Sequence, residues 1–407
     1  MRSPLRHVAI VVRPYQEISD SPSKVFGGID RVVAGLIRGL AAYQIEVTLF
    51  TAKKCVNLPC NLVQPIGEVE EYLPHRLTHR QLAAYAGGIL KHIQQQAATG
   101  RSFDLVNIHH DPLAFVALQG IETPVLTTLH MSCGREEELV FGLFPRSLFS
   151  GVSKYQLRSY PSSFNLIGYV HNGVDPNGNC FSAIRRNYLT SISNIIPEKG
   201  QKEALTIFKM AETDADLVIA GEINDRGYFK RCLASQIDVD LSGAARQNER
   251  AAFIQNAGAY CPRGGKVIFL GAVNSRERDL ILKHTRGFLF PSRWREGCPM
   301  VLLEAGLAGA PILLFDSPVN SEIVVDGRTG YLRPSLEELA ACVPRLETIH
   351  PRVCRNHIKR NFSFDQMVDG YLELFAKARH QFTPQLPREL SRFKGKKAGY
   401  PLEAGSL

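Results

Sequence analysis

Short unbroken apolar runs alternate along the chain with longer stretches in which apolar residues return every three or four positions. HVAIVV (7–12) is a run of the first kind. Its length and lack of polar alternation predict a strand buried on both faces. IDRVVAGLIRGLAAY (29–43) is of the second kind, with Ile29, Val32, Val33, Leu36, Ile37 and Leu40 on one helical face. Strand candidates recur at EVTLFT, DLVNIHH, PVLTTLH, LFSGVS and LIGYVHNGV. A second series opens at YLTSISNI (188–195) and continues through DLVIAGE, KVIFLGAV, RGFLFPS and PILLFDS. Helical patterns at 202–212, 276–285 and 300–309 separate its members. Strands joined through helices form parallel sheets by right-handed crossovers. Two such series predict an α/β chain of two doubly wound domains.

The two series meet at HNGVDPNGNCFSAIRR (171–186), which is rich in turn residues and has no periodicity. The pattern therefore divides the chain into residues 1–175 and 176–360, followed by an amphipathic helix within 361–382. The segment 383–407 mixes Pro, Gly and Lys and is predicted to be a flexible tail. No internal repeat is visible, so the two halves are alike in architecture only.

Composition narrows the function. At 407 residues, with 44% apolar and 21% charged, the chain is an ordinary globular protein and not a disordered one. The net charge of +9 is spread along the sequence, without the basic patch interleaved with aromatics that marks a nucleic-acid binder. A phosphorylated substrate accounts for the excess equally well. Nine cysteines form no CxxC pair, and Cys55 and Cys60, the closest two, have no further zinc ligands nearby. Free thiols in a reducing compartment are expected. With no signal-like or membrane-spanning run, a soluble cytoplasmic protein is the expectation.

The most informative phrase is REGCPMVLLEAGLAGAPILLF (295–315). Glu296 follows a strand, and Glu304 lies eight residues on, inside the next helix. Pro299 suits the first turn of that helix, where a missing N–H costs nothing. The N–H groups of Gly297, Cys298, Met300 and Val301 would then face the C-terminal ends of the strands, where open α/β sheets bind ligands. Two carboxylates at this spacing cannot share a helix face, which suits clamps on different parts of one extended ligand. An ordinary strand–helix turn with two solvated glutamates has the same spacing.

The phrase EGCPMVLLEAGLAGAP resembles the E-x7-E motif of retaining GT-B glycosyltransferases, specifically glycosyltransferase family 4 (the "glycosyl transferases group 1"). FGGIDRVVAGLIRGL (26–40), TTLH (127–130), HNGVD (171–175), IIPEKG (195–200), LVIAGE (217–222), FLGAV (269–273) and NSEIVVDGRTGYL (320–332) follow at family-like places. The resemblance runs from about residue 7 to 375 and is thinnest between 55 and 100.

It implies two Rossmann-like domains facing across a cleft, an acceptor domain at 1–175 and a nucleotide-sugar donor domain at 176–360. The helix in 361–382 would cross back to the first domain, and the cleft would be wide until the donor binds. Glu304 would hold the ribose, Glu296 the donor sugar and Lys199 the diphosphate. Gly27 and Gly28 would let the backbone approach the diphosphate, joined by Asn194 and by Gly297, Cys298, Pro299, Met300 and Val301. His130 would reach the sugar, so Glu296, His130 and Lys199 form the catalytic set. His109 and His110 are weaker candidates of the same kind.

The activity so implied is a hexosyltransferase that takes its sugar from a nucleotide diphosphate, a UDP-sugar in the first instance. No cofactor is expected. No D-x-D and no histidine pair at ligand spacing is present, and the resemblance implies metal independence. The acceptor is open: saccharide, lipid, protein and small metabolite all fit, and oligomeric state is equally open. Arg76, Arg80 and Lys91 are compatible with peripheral contact on an anionic membrane or with a solvated helix face.

One departure stands out. Relatives carry an arginine five residues before the lysine, where this chain has Asn194. Asparagine donates hydrogen bonds but brings no charge. Arg226, Arg293 and Arg295 are candidates to compensate. The departure also keeps open a catalytically impaired sugar-nucleotide binder, beside another GT-B activity such as a sugar-nucleotide epimerase.

Overall fold

The computed structural model describes residues 4–19, 28–69, 77–178, 181–259, 264–294 and 296–382. The tail 383–407, Gly27, Arg76 and Arg295 lie outside them. The N-terminal half supplies β1 (His7–Val11), β2 (Ile18–Ser19), β3 (Glu46–Phe50), β4 (Cys55–Val56) and β5 (Asn61–Val63). It continues with β6 (Leu105–His109), β7 (Val125–Leu129), β8 (Leu148–Gly151) and β9 (Asn165–Tyr169). The second half supplies β10 (Arg186–Ile192), β11 (Asp216–Ala220), β12 (Val239–Asp240) and β13 (Val267–Phe269). It ends with β14 (Thr285–Leu289), β15 (Ile312–Phe315) and β16 (Gly330–Arg333).

These strands form two seven-stranded sheets, β5-β3-β1-β6-β7-β8-β9 and β12-β13-β11-β10-β14-β15-β16, and β2 pairs with β4 apart from them. Every pairing in both large sheets is parallel. Helices cover both faces, so the central strands are apolar throughout and all five residues of β6 and of β11 are buried.

The order of each sheet reverses direction next to its first strand, between β1 and β6 in one and between β10 and β14 in the other. Loops leaving neighbouring strands diverge at such a point and open a crevice at the C-terminal ends. Gly28 opens the helix Gly28–Ala42, and the segments after β7, β10 and β14 carry His130, Lys199 and Glu296 respectively. The arrangement is a two-domain Rossmann-like GT-B fold.

The helix Phe364–Gln381 leaves the second lobe and packs against the helix Gly28–Ala42 and β9 of the first. Ser363 caps its start by accepting from the Gln366 N–H. A Cβ on Gly35 or Gly39 would collide with Phe364 or Val368, so the two helices meet at backbone contact. The linker lies beside this return: Val174 N–H donates to the Phe362 carbonyl at 2.9 Å and Phe364 N–H to the Val174 carbonyl at 3.0 Å. Both chain crossings between the lobes therefore run side by side.

The wide cleft expected of the ligand-free chain is not what the structure shows. Met131 and Glu296 form an antiparallel bridge between the lobes. Asn172 Nδ2 donates to the Cys298 carbonyl at 2.7 Å. Glu322 accepts from the Lys154 and Tyr155 N–H groups at 3.0 and 2.8 Å and pairs with His171 at 2.7 Å. Burial works to raise the Glu322 pKa, but these hydrogen bonds outweigh it and hold the carboxylate ionised.

Candidate active site in the cleft between the lobes

The cleft encloses about 400 Å³ and is lined by Gly28 and His130 from the first lobe and by Asn194 and Lys199 from the second. Glu296, Gly297, Cys298, Pro299, Met300, Val301 and Glu304 line it as well. Residues far apart in the chain are thus brought to one space; Gly27 falls outside the described residues.

Lys199 ends a short 3₁₀ turn, Pro197–Lys199, directly after β10. Gly200 follows with φ 78°, and a Cβ there would lie 2.7 Å from the carbonyl carbon of Pro291. A left-handed glycine therefore lets the Lys199 loop lie against the loop after β14. The Glu198 carbonyl fixes the two together by accepting from the Arg293 and Trp294 N–H groups at 2.9 and 3.2 Å. The Lys199 ammonium reaches Glu296 as an ion pair, with the ring centroids of Phe290 and Trp294 at 6.0 and 5.9 Å.

Pro299 stands where the next helix begins. It is the N-cap, with ψ 119°, and the helix runs Met300–Leu307. The Met300 and Val301 N–H groups occupy the first turn, where no intrahelical acceptor exists, and they open on the cleft. Gly297 is sterically required. A Cβ there would lie 2.6 Å from Val152 Cγ2 and 2.9 Å from the His130 carbonyl, both across the cleft.

Glu304 projects from the second turn of that helix and is 8% exposed. It pairs with Arg31 of the first lobe and with Arg278 Nε at 3.1 Å. Burial lowers the Arg31 pKa, and Glu304 acts against that. Glu304 Oε2 takes part in the charge contact without a hydrogen bond of good geometry, which leaves a buried acceptor for a ligand hydroxyl. Neither arginine was singled out from the sequence. Arg31 reads there as a solvated residue on a helix face, although it follows the glycine loop, and Arg278 reads as one more charge in SRERD.

The arginines proposed to offset Asn194 are placed differently. Arg293 leans on Glu203 at 3.3 Å outside the cleft, Arg226 does not line it, and Arg295 lies outside the described residues. Arg31 and Arg278 line the cleft instead.

His130 stacks on His109, with Nε2 2.9 Å from His109 Nδ1. His109 is fully buried, and its Nε2 has no partner. A bare buried ring nitrogen is the less costly arrangement, so the His109 proton belongs on Nδ1 and points to His130. His130 then keeps its proton on Nδ1. Burial pushes the His109 pKa from 6.5 to about 3. Burial, followed by the charges of His109, His110 and Arg13, holds His130 well below its ordinary value. Both rings are neutral at pH 7, so His130 acts as a hydrogen-bonding group and not as a cation. His110 Nδ1 accepts from the His130 N–H at 3.4 Å, and its Nε2 lies 3.6 Å from Glu137.

A depressed histidine pKa gives the linkage its sign. Unfolding takes up a proton below 6.5, so the stability contributed by His109 is complete above that value and falls as the pH drops toward about 3. The loss is about 1.4 kcal/mol per pH unit for such a group. Melting temperatures between pH 7.5 and 4.5 should therefore fall less steeply in His109→Asn than in the native chain. Equal slopes would remove the argument.

Among the described residues no group of three His, Cys, Asp or Glu is placed to hold a metal ion. Nor is any described helix long and apolar enough to cross a membrane.

Comparison with known proteins gives a family match and a set of structural neighbours. The glycosyl transferases group 1 family matches residues 182–358. The α-1,3/1,6-mannosyltransferase ALG2 of Eremothecium gossypii is 26% identical over 238 residues, covering 51% of this chain and 43% of its own length. The chain spans less than half the length of the curated relatives it matches. Sucrose-phosphate synthase from Thermosynechococcus elongatus superposes with a TM-score of 0.64 at 16% identity, covering 91% of this chain and 98% of that one. HepE from Anabaena, solved in complex with UDP and glucose, gives 0.58 at 16% identity, covering 91% and 100%. These likenesses show the GT-B fold, and residues 182–358 match the glycosyl transferases group 1 family.

Proposed function

We propose that the chain is a retaining hexosyltransferase of glycosyltransferase family 4 that transfers sugar from a nucleotide-diphosphate sugar, a UDP-sugar in the first instance. The observation that carries this reading is the convergence of Lys199, Glu296, Glu304 and the first turn of the helix Met300–Leu307 on one cleft. An extended donor fits that order of groups. Its ribose hydroxyls reach Glu304, its phosphates meet Lys199 and the Met300 and Val301 N–H groups, and its sugar lies by Glu296 and His130. HepE was crystallised with UDP and with UDP-glucose, which agrees with a UDP donor.

Only two carboxylates, Glu296 and Glu304, line the cleft among the described residues, and both are held by cations. Neither is a free nucleophile. The reading is therefore departure of the diphosphate and attack of the acceptor on the same face, with the departing phosphate taking the acceptor proton. Charge on the leaving group is met by Lys199 and the helix N–H groups. No metal is assigned to the step.

Incubation with UDP-glucose, UDP-N-acetylglucosamine and GDP-mannose should release nucleotide from one of them by slow hydrolysis, at an equal rate with excess EDTA. Loss of that activity on chelation would refute metal independence. Tight nucleotide binding without turnover would favour the impaired binder that Asn194, at the cleft wall, keeps in view.

A further inference from the structure

A second cavity, of about 500 Å³, adjoins the donor cleft and shares Trp294 and Glu296 with it. Its walls come from both lobes: Tyr155 and Arg158 follow β8, Arg293 follows β14, and Phe315 ends β15. The volume is that of a small-molecule site. Because Glu296 stands between the two spaces, a molecule in the second one would meet the sugar end of a donor in the first.

Tyr155, Trp294 and Phe315 give the cavity flat apolar faces, and Trp294 is 43% exposed. Such faces suit the C–H surface of a pyranose, whose hydroxyls stay at the rim. Two of the rings carry a guanidinium, Arg158 at 4.3 Å from the Tyr155 centroid and Arg293 at 5.0 Å from that of Phe315. Stacking fixes the guanidinium plane and leaves its N–H edge for a planar or tetrahedral anion.

The charges decide what the cavity takes. Arg158, Arg293 and Glu296 are the charged side chains that line it among the described residues. Glu296 is neutralised by Lys199, and Arg293 Nε faces Glu203 at 3.3 Å. Arg158 stacks on Tyr155 and pairs with no carboxylate among the described residues. The charge left over is positive.

We propose that this cavity is the acceptor site and that its ligand is a saccharide bearing an anionic group, carboxylate or phosphate, held at Arg158. The assignment rests on the glycosyltransferase reading. An acceptor hydroxyl oxygen forms the new bond to the anomeric carbon as the bond from that carbon to the phosphate oxygen breaks. The hydroxyl proton passes to the departing phosphate, and the nucleoside diphosphate leaves.

The test is ligand-observed NMR on the full chain, with and without UDP, using glucose, glucuronic acid and glucose 6-phosphate as probes. Arg158 is exposed, so its variants should fold. At least one anionic probe should bind about 10-fold tighter than glucose, as expected for a charge-assisted contact. Arg158→Gln should abolish the difference and Arg158→Lys should restore part of it. The anion preferred distinguishes a uronic acid from a sugar phosphate. Three probes that bind alike or not at all, or a preference that survives in Arg158→Gln, would overturn the proposal. A chain that prefers an anionic probe yet binds neither UDP nor GDP and hydrolyses none of the three sugar nucleotides would overturn the glycosyltransferase reading, and the acceptor role with it.

Discussion

Lys199→Ala should lower kcat for donor turnover by roughly 10²–10³-fold, the range seen when one group that stabilises a developing anion is removed. Negative charge grows on the diphosphate as the glycosidic bond lengthens, so a cation there gains interaction on the way to the transition state. Asn194 leaves its own position without charge, and Arg31 and Arg278 are turned to Glu304, which places the burden on Lys199. The same substitution strands Glu296, whose carboxylate is 16% exposed and loses its partner. Donor-saturation kinetics read by nucleotide release would show the effect in kcat more than in KM. A kcat within twofold of the native chain would rule out this role. Asn194→Arg in the same assay shows whether a second cation is what the site lacks.

For Glu304→Gln the expected loss is in stability and in KM, with kcat much less affected. The carboxylate faces two guanidinium groups, and the side chains of Glu304, Arg31 and Arg278 are 9%, 20% and 13% exposed. Removing that anion leaves two mostly buried guanidinium groups with only Asp279, 3.4 Å from Arg278, still paired to one of them, which costs about 3 kcal/mol. For a lobe of this size that is a fall in melting temperature of roughly 6–12 °C. The ribose does not react, so its contacts are nearly equal in the ground and transition states and their loss appears in KM. Calorimetry with and without UDP, together with donor saturation, separates the two effects. A variant as stable as the native chain would mean that the arginines find solvent, and that the ion pair does not join the lobes.

Elements defined by long periodic stretches were legible in the sequence. The run HVAIVV is β1, and the helix read at 29–43 is Gly28–Ala42. The helix His79–Ala98 fell in the stretch least like the family, although Thr78 and Gln81 spell a capping box at its start. Its polar face kept the hydrophobic stripe narrow. Strand order was not legible, because every buried parallel strand carries the same apolar signature. Pro299 is legible as the start of the helix, and only ψ shows that it is the N-cap. Arg31 and Arg278 escaped notice for a different reason. An arginine near a helix start is ordinary on a surface, and nothing in the local sequence of either shows that a carboxylate on the helix Met300–Leu307, in the other lobe for Arg31, will meet it.

The return of the helix Phe364–Gln381 also bears on how the protein is made. Val32, Leu36 and Leu40 share one core with Met367, Val368, Tyr371, Leu374 and Phe375. Synthesis delivers the first lobe's sheet well before the helix that covers its face. Until then the small-residue strip at Gly35 and Gly39 and the apolar side chains around it are open to water and to other chains. A nascent first lobe is therefore an intermediate that holdase chaperones would recognise. Premature termination in the second half before Phe364 should produce an aggregating fragment and not a free-standing domain.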